Sequence, residues 1–281
     1  MGKTPKDAAT LYEDVPPWMA EPLWDWLEQR TVRRMGNPGG STGRVTVSNV
    51  EFVKKFDRIT HSYSPLAPEF AQFGAEAFEQ LDIDTLLQFI DYCVATAEPF
   101  IDLVSNSELE VILKESNFAW KVGTRDGYPG LERRLPLGVQ ESADHVMATS
   151  GDAGRRLSEA WHAAFGVSPN PLLAYHLAVL AVEDAVLPVV SPKDRDRTLG
   201  KAIAVIRDQG WVLPTPRPDD RAPTGDVLQL TLGMLWHGHG ERHGGAMDPD
   251  TKITQEAAAA AVMLAVPLVQ WFTSGAARRS S

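Results

Sequence analysis

Cysteine is nearly absent. Cys93 is the only one in 281 residues, which excludes a disulfide framework within the chain, leaves no disulfide partner and fits a reducing compartment. It sits in the apolar stretch FIDYCVATA (89–97), a setting that predicts a buried structural thiol. Long apolar runs are also missing. The longest, AAAAAVMLAVPLV (257–269), is interrupted by Pro267 and is shorter than the roughly 18–20 residues that cross a bilayer, so no membrane partner is expected. The N-terminal MGKTPKDAATLYEDVPPW has no apolar core behind its lysines and predicts no signal peptide. The expectation is a soluble, cytoplasmic protein.

Positive charge is in short supply too. Against 37 acidic residues stand 27 Lys and Arg, a net charge of −10. Residues 1–150 hold 14 basic against 23 acidic residues, whereas 151–281 hold 13 against 14. Such a balance excludes broad non-specific attraction to a nucleic-acid backbone and confines any RNA contact to a local patch, expected in the second half. A phosphate loop is lacking as well. GNPGGSTGR (36–44) has no Gly-Lys-Ser/Thr ending, because Gly43 is followed by Arg44 and Val45, and no strand is predicted before Gly36. It reads as a plain loop, and no cofactor is expected.

What the chain does have is an ordinary globular composition, 43% apolar and 23% charged, over a length that suits one large domain or two of usual size. PPWMAEPLWDWLEQR (16–30) predicts a helix with Trp18, Leu23, Trp26 and Leu27 inward and Glu21, Asp25 and Glu28 outward. An acidic polar face suits docking into a protein core better than a membrane surface. Helical patterns follow near 48–60, 67–80 and 82–104, and SNFAWKVGTRDGYPGLERRL (116–135) predicts a β-hairpin with short strands either side of TRDGYPG.

From about 139 the pattern is helical. One long or broken helix ends at Gly166, and a second runs from 171 to 187 with Ser168 or Asn170 as cap and Pro188 as stop. A shorter helix ends at Gly210, and the four prolines of LPTPRPDDRAPTG (213–225) mark a linker. DVLQLTLGMLW and ITQEAAAAAVMLAVPLVQWFTSGAARR supply the last two helices. The expected fold is therefore mostly α: an N-terminal helical domain (1–138) with one small hairpin, and a C-terminal up-and-down helical bundle (139–281). The helices at 171–187 and 254–272 are apolar nearly all round and are expected at its centre.

LGMLWHGHGERHGG (232–245) concentrates three of the seven histidines with Glu241, Arg242 and five glycines. Three chemistries compete. A metal site would draw on His237, His239 and His243, with Asp248 as a fourth ligand. An acid–base site would use a neutral imidazole to take a proton from a ribose 2′-hydroxyl while a guanidinium holds the phosphate, roles open to His243 and Arg242. The third is a glycine-terminated helix with solvated histidines. Glu183 and Asp184 interrupt an apolar helix, with His176 two turns before Glu183 on the same face. If buried, they need partners, and Arg242 or a motif histidine fits. Reaching solvent beside Pro188 is the alternative.

The order of these features resembles the C-terminal domain of abortive-infection proteins, a branch related to HEPN helical bundles, and is similar to a group of actinobacterial proteins. AYHLAVLAVEDAVLPVV, a short TLG helix, a helix ending in RHG and the closing EAAAAAVMLAVPLVQWF carry the resemblance over residues 150–277. It implies an all-helical, often dimeric, metal-independent ribonuclease with a role in phage defence. The family motif is an arginine followed, four to six residues later, by a histidine. His243 matches that histidine and Gly244 the glycine after it. The arginine would fall at 236–238, where the chain has Trp236, His237 and Gly238, so His237 is the nearest polar substitute and Arg242 a compensating cation. In the reading this gives, His243 is the general base or acid, Arg242 and His237 contact phosphate, and Glu183 is taken as an orienting carboxylate. A catalytically inactive interaction or dimerisation module is the competing expectation, and a hydrolase using the 237–243 histidines as metal ligands is a third.

Overall fold

The computed structural model describes residues 11–36, 44–97, 104–125, 128–194, 198–215, 221–238 and 252–280. The chain forms two compact units, Met1–Arg134 and Leu135–Ser281. The architecture is mostly α, with eleven α-helices and three two-stranded antiparallel pairs among the described residues.

The first unit opens with α1 (Pro17–Arg30), which has proline in its first turn. It buries Met19, Leu23, Trp26 and Leu27, a run spaced at i, i+4, i+7 and i+8. Trp18, expected inward, is 53% exposed and meets the Tyr12 ring edge-on. One residue is a rotation of about 100°, and that carries it off the buried stripe. At the other end Arg30 is buried, donating from Nε and Nη2 to the Cys93 carbonyl at 3.2 and 2.9 Å.

β1 (Val32–Gly36) pairs antiparallel with β2 (Arg44–Ser48), from Val32↔Ser48 to Gly36↔Arg44. A strand thus does precede Gly36, contrary to the sequence expectation. The β-branched alternation of RVTVS supplies it a partner. The 37–43 stretch lies outside the described residues.

α2 (Val50–Thr60) is capped by Asn49, and the Asp57 carboxylate accepts from the first amides of α3 (Leu66–Phe73), Leu66 and Ala67, at 2.8 and 2.9 Å. Gly74, at φ +62°, ends α3, and a 3₁₀ segment (Gly74–Gln80) follows, so the expected single helix at 67–80 is two pieces. α4 (Ile83–Ala95), capped by Asp82, stops well before 104. α5 (Asn106–Glu115), which the periodicity reading missed, is announced by the capping box of Ser105 and Glu108. Phe56, Phe70, Phe78 and Phe89 form the aromatic centre, with ring centroids 5.0–5.3 Å apart in sequence of contact. Cys93 is buried on the same helix as Phe89, α4.

The hairpin is present as β3 (Trp120–Arg125) and β4 (Tyr128–Arg133). Its strands run into the stretch expected as turn, leaving only Asp126 and Gly127 between them. Both outer edges meet carboxylates. Asp91 of α4 accepts from the Leu131 amide at 2.7 Å. Glu110 of α5 accepts from the Val122 amide at 2.8 Å and from Arg134 at 2.7 Å.

In the second unit the 139–166 stretch is two helices, α6 (Leu137–Thr149) and α7 (Gly151–Phe165), broken where Gly151 takes φ +58°. α8 (Pro171–Val190), capped by Asn170, continues past Pro188, whose ring falls in the last turn. α9 (Leu199–Asp208) and β5 (Trp211–Val212) follow, then α10 (Thr224–His237), α11 (Gln255–Thr273) and β6 (Arg278–Arg279), the last pairing with β5. The sequence reading held no such pair: β5 falls just before the stretch expected as linker, and β6 at the end of the stretch expected as the last helix, which in fact stops at Thr273. α7 and α11 pack against α8 through small residues, among them Ala174, Ala178, Ala181 and Ala185 on α8 and Ala258, Ala261 and Ala265 on α11. α8 and α11 are long and apolar enough by composition to cross a membrane, but ten residues of α8 and eight of α11 are buried in this core. Their apolarity is used in packing.

Candidate functional site

The histidine-bearing helix is α10, whose last residue, His237, is exposed. Tyr175 of α8 fixes this end. Its hydroxyl donates to the Leu235 carbonyl at 3.1 Å, one of the orphan acceptors at a helix C-terminus. The same phenol stands against Gly238, where any Cβ would strike its oxygen. Glycine is thus required at 238 by a close approach, while its backbone remains in the ordinary helical region, φ −68°.

A second support comes from α9. Glu183 of α8 accepts from the Leu199 amide at 3.0 Å, at the start of α9. One residue on, Gly200 admits the Trp236 indole so closely that a Cβ there would lie 2.9 Å from it. Glu183, Gly200 and Trp236 therefore form a chain of contacts ending next to His237. Among the described residues Glu183's hydrogen-bond partner is this amide, and Asp184 pairs with Arg156 at 2.6 Å. The Arg156 guanidinium is held above its ordinary pKa by that hydrogen bond. Both acidic residues are half-buried, and these partners account for them within an apolar helix.

The other flank of the segment is equally fixed. Thr254 caps α11 by accepting from Ala257 at 3.2 Å, and Gln255 Nε2 donates to the Ala164 carbonyl at 2.5 Å. Gly238 on one side and Lys252 and Ile253 on the other line one cavity of about 480 Å³, together with Tyr175, Met234 and Leu264. Its described walls are mostly apolar, and among the described lining residues Lys252 is the one that carries a charge.

Of the residues singled out in the sequence, His237 and Glu183 are placed as described. His239, Arg242, His243 and Asp248 lie outside the described residues. His176 is exposed on α8, next to Tyr175. Among the described residues no group of three His, Cys, Asp or Glu side chains is arranged to hold a metal ion. Sequence reading passed over Tyr175 and Lys252. A tyrosine in an apolar helix that must find a partner for its hydroxyl was the signal available.

α10 also carries an apolar stripe that the sequence reading left unremarked. Val227, Leu230 and Met234, at i, i+3 and i+7, are 43, 73 and 64% exposed. At 100° per residue they share an arc with Asp226 in the first turn and His237 in the last. Compared with protein families, curated proteins and solved structures, the chain matches none.

Proposed function

We propose that the second unit acts on RNA in the manner of abortive-infection, HEPN-like proteins, cytoplasmic and directed against phage, with the 237–243 segment as its reactive part. The observation that supports this reading is the convergence of both described flanks of that segment on one cavity, each pinned by a side-chain hydrogen bond to a carbonyl. In this reading His243 exchanges a proton with a ribose 2′-hydroxyl, while Arg242 and His237 hold the adjacent phosphate. Glu183 is a positioning residue: it anchors α9, and through Trp236 the end of α10.

The test compares RNA cleavage by the purified chain and by His243→Ala, with and without a chelator. Wild type is expected to cleave despite chelator and His243→Ala to lose about 10²–10⁴-fold in rate, the usual contribution of one acid–base group. Cleavage abolished by chelator would replace this mechanism with a metal site on the same histidines. An RNA left intact by wild type would remove the nuclease reading.

A second reading is favoured by the α10 stripe. Exposed apolar residues in a continuous row mark an interaction surface, and the occupant it suits is a second copy of the chain. Asp226 and His237 close the two ends of the stripe with an acid and a base, so two α10 helices meeting antiparallel set each acid opposite the partner copy's base. This dimer is compatible with the first reading and, if cleavage fails, stands in its place.

A further inference from the structure

We propose that the second unit also binds a small nucleotide, in a cavity other than the one lined by Gly238, Lys252 and Ile253, where α9, β5, β6 and α10 meet. The cavity measures about 650 Å³, and its lining includes Arg207, Arg278, Asp226, Gln229, Pro214 and Pro223.

Local structure builds its walls. Gly210, at φ +63°, turns the chain from α9 into β5. β5 then pairs with β6 as Trp211↔Arg279 and Val212↔Arg278, and the Ser280 amide donates to the Gly210 carbonyl at 2.9 Å. This ties the C-terminal arginines to the rim. Trp211 is buried against Phe272 and beneath the Arg279 guanidinium, which gives the floor a rigid base. The start of α10 closes the opposite side. The Leu213 amide donates to Thr224 Oγ1 at 3.3 Å, and at Gly225 a Cβ would stand 2.7 Å from the Trp211 carbonyl oxygen. Glycine there lets helix and strand come together.

The lining names the ligand class. Among the described lining residues two guanidinium groups, from α9 and β6, stand with one carboxylate. Arg207 also pairs with Asp208 at 2.9 Å, both well exposed, and so is held only weakly there. Guanidinium forks bind phosphate oxygens in pairs. A carboxylate such as Asp226 accepts from ribose hydroxyls, and the Gln229 carboxamide, donor and acceptor together, suits the edge of a base. Proline faces and Ile206, Val212 and Leu213 supply apolar walls for a flat ring. The volume falls within the range of small-ligand sites and far exceeds the needs of inorganic phosphate alone. A nucleoside monophosphate uses every one of these groups.

Calorimetric titration with AMP tests the proposal on the full chain. Wild type is expected to bind with one-to-one saturation, and adenosine and inorganic phosphate to bind at least about tenfold more weakly. Arg207→Ala with Arg278→Ala is expected to weaken AMP about tenfold or more, at an unchanged thermal midpoint because both side chains are exposed. His243→Ala is expected to bind AMP as wild type does, which separates this site from the RNA-acting segment. Absence of saturable AMP binding up to about 5 mM would overturn the proposal. So would an undiminished affinity in the double arginine variant, phosphate binding as tightly as AMP, or loss of AMP binding in His243→Ala.

Discussion

At the end of α10 a phenol and a missing side chain occupy the same space. Gly238→Ala drives a methyl into the Tyr175 hydroxyl, so the variant is expected to lose about 1–3 kcal/mol, as overpacked sites do. Tyr175→Phe is expected to lose about 1 kcal/mol with its bond to Leu235. The double variant should lose less than the sum, because removing the oxygen makes room for the methyl. Urea unfolding of the four proteins measures the coupling, and strict additivity would contradict the contact. Asp82 gives a residue-scale prediction in pH. The Thr85 amide, then its hydroxyl, hold the Asp82 carboxyl below its ordinary 3.8. A folded-state pKa below the unfolded one gives stability that is present above the unfolded value and lost as pH falls through the folded one. Asp82→Asn, which still caps α4, is therefore expected to match wild type near neutrality and to lose less stability on acidification below about pH 4. Thermal melts across that range decide it, and parallel acid limbs would contradict it. The site was legible at this scale only where composition is unusual. Five glycines and three histidines in fourteen residues stand out in any reading. Tyr175 does not, because its acceptor is a backbone carbonyl 60 residues away.

Whole elements were read well where a local signal marks both their period and their ends. The hairpin at 120–133 has alternation and an Asp-Gly pair, and it was found. α5 has a capping box but only ten residues of weak apolar period, and it was missed. The β5–β6 pair joins residues nearly 70 apart, so no window along the chain contains it. Pro188 was read as a stop, but in the last turn a proline forgoes one hydrogen bond and the helix ends two residues later in any case. What the hairpin pattern cannot show is how its edges are closed. Glu110 accepts from the Val122 amide and from Arg134, and both groups lose their acceptor in Glu110→Ala. That variant is expected to destabilise the first unit by about 1–3 kcal/mol, the penalty of stranding part-buried donors. Glu110→Gln keeps an acceptor for the amide and should lose distinctly less. Hydrogen exchange at Val122 is the direct readout, expected to accelerate in the alanine variant and to change little in the glutamine one. Unchanged exchange in Glu110→Ala would show that the edge is held by something else.

For the molecule as a whole, the sequence divides its apolar residues between two uses. α8 and α11 are apolar nearly all round and fill the centre of the second unit, which their composition announced. α10 was read from the same kind of pattern, yet Leu228, Leu232 and Leu235 face the core while Val227, Leu230 and Met234 face outward. Periodicity told of a helix and could not tell which stripe has a partner, since that depends on neighbours distant in sequence. An outward row this apolar is expected to pair with itself. An antiparallel pairing of two α10 helices buries both stripes and satisfies Asp226 and His237 at each end, an isologous contact that closes after two copies. Sedimentation equilibrium at about 10–50 μM is therefore expected to give a dimer for wild type. Leu230→Glu with Met234→Glu should give a monomer of unchanged helicity, since both positions are on the surface. The acid and base at the two ends provide the orientation test. Asp226→His alone sets base against base and His237→Asp alone sets acid against acid, so each should weaken the dimer. Joined in one chain, the exchange restores both pairs and should restore much of the association. Recovery in the exchanged chain is peculiar to the antiparallel geometry: a parallel pairing would set acid against acid or base against base in every variant, and a wild-type monomer across the concentration range would remove the dimer altogether.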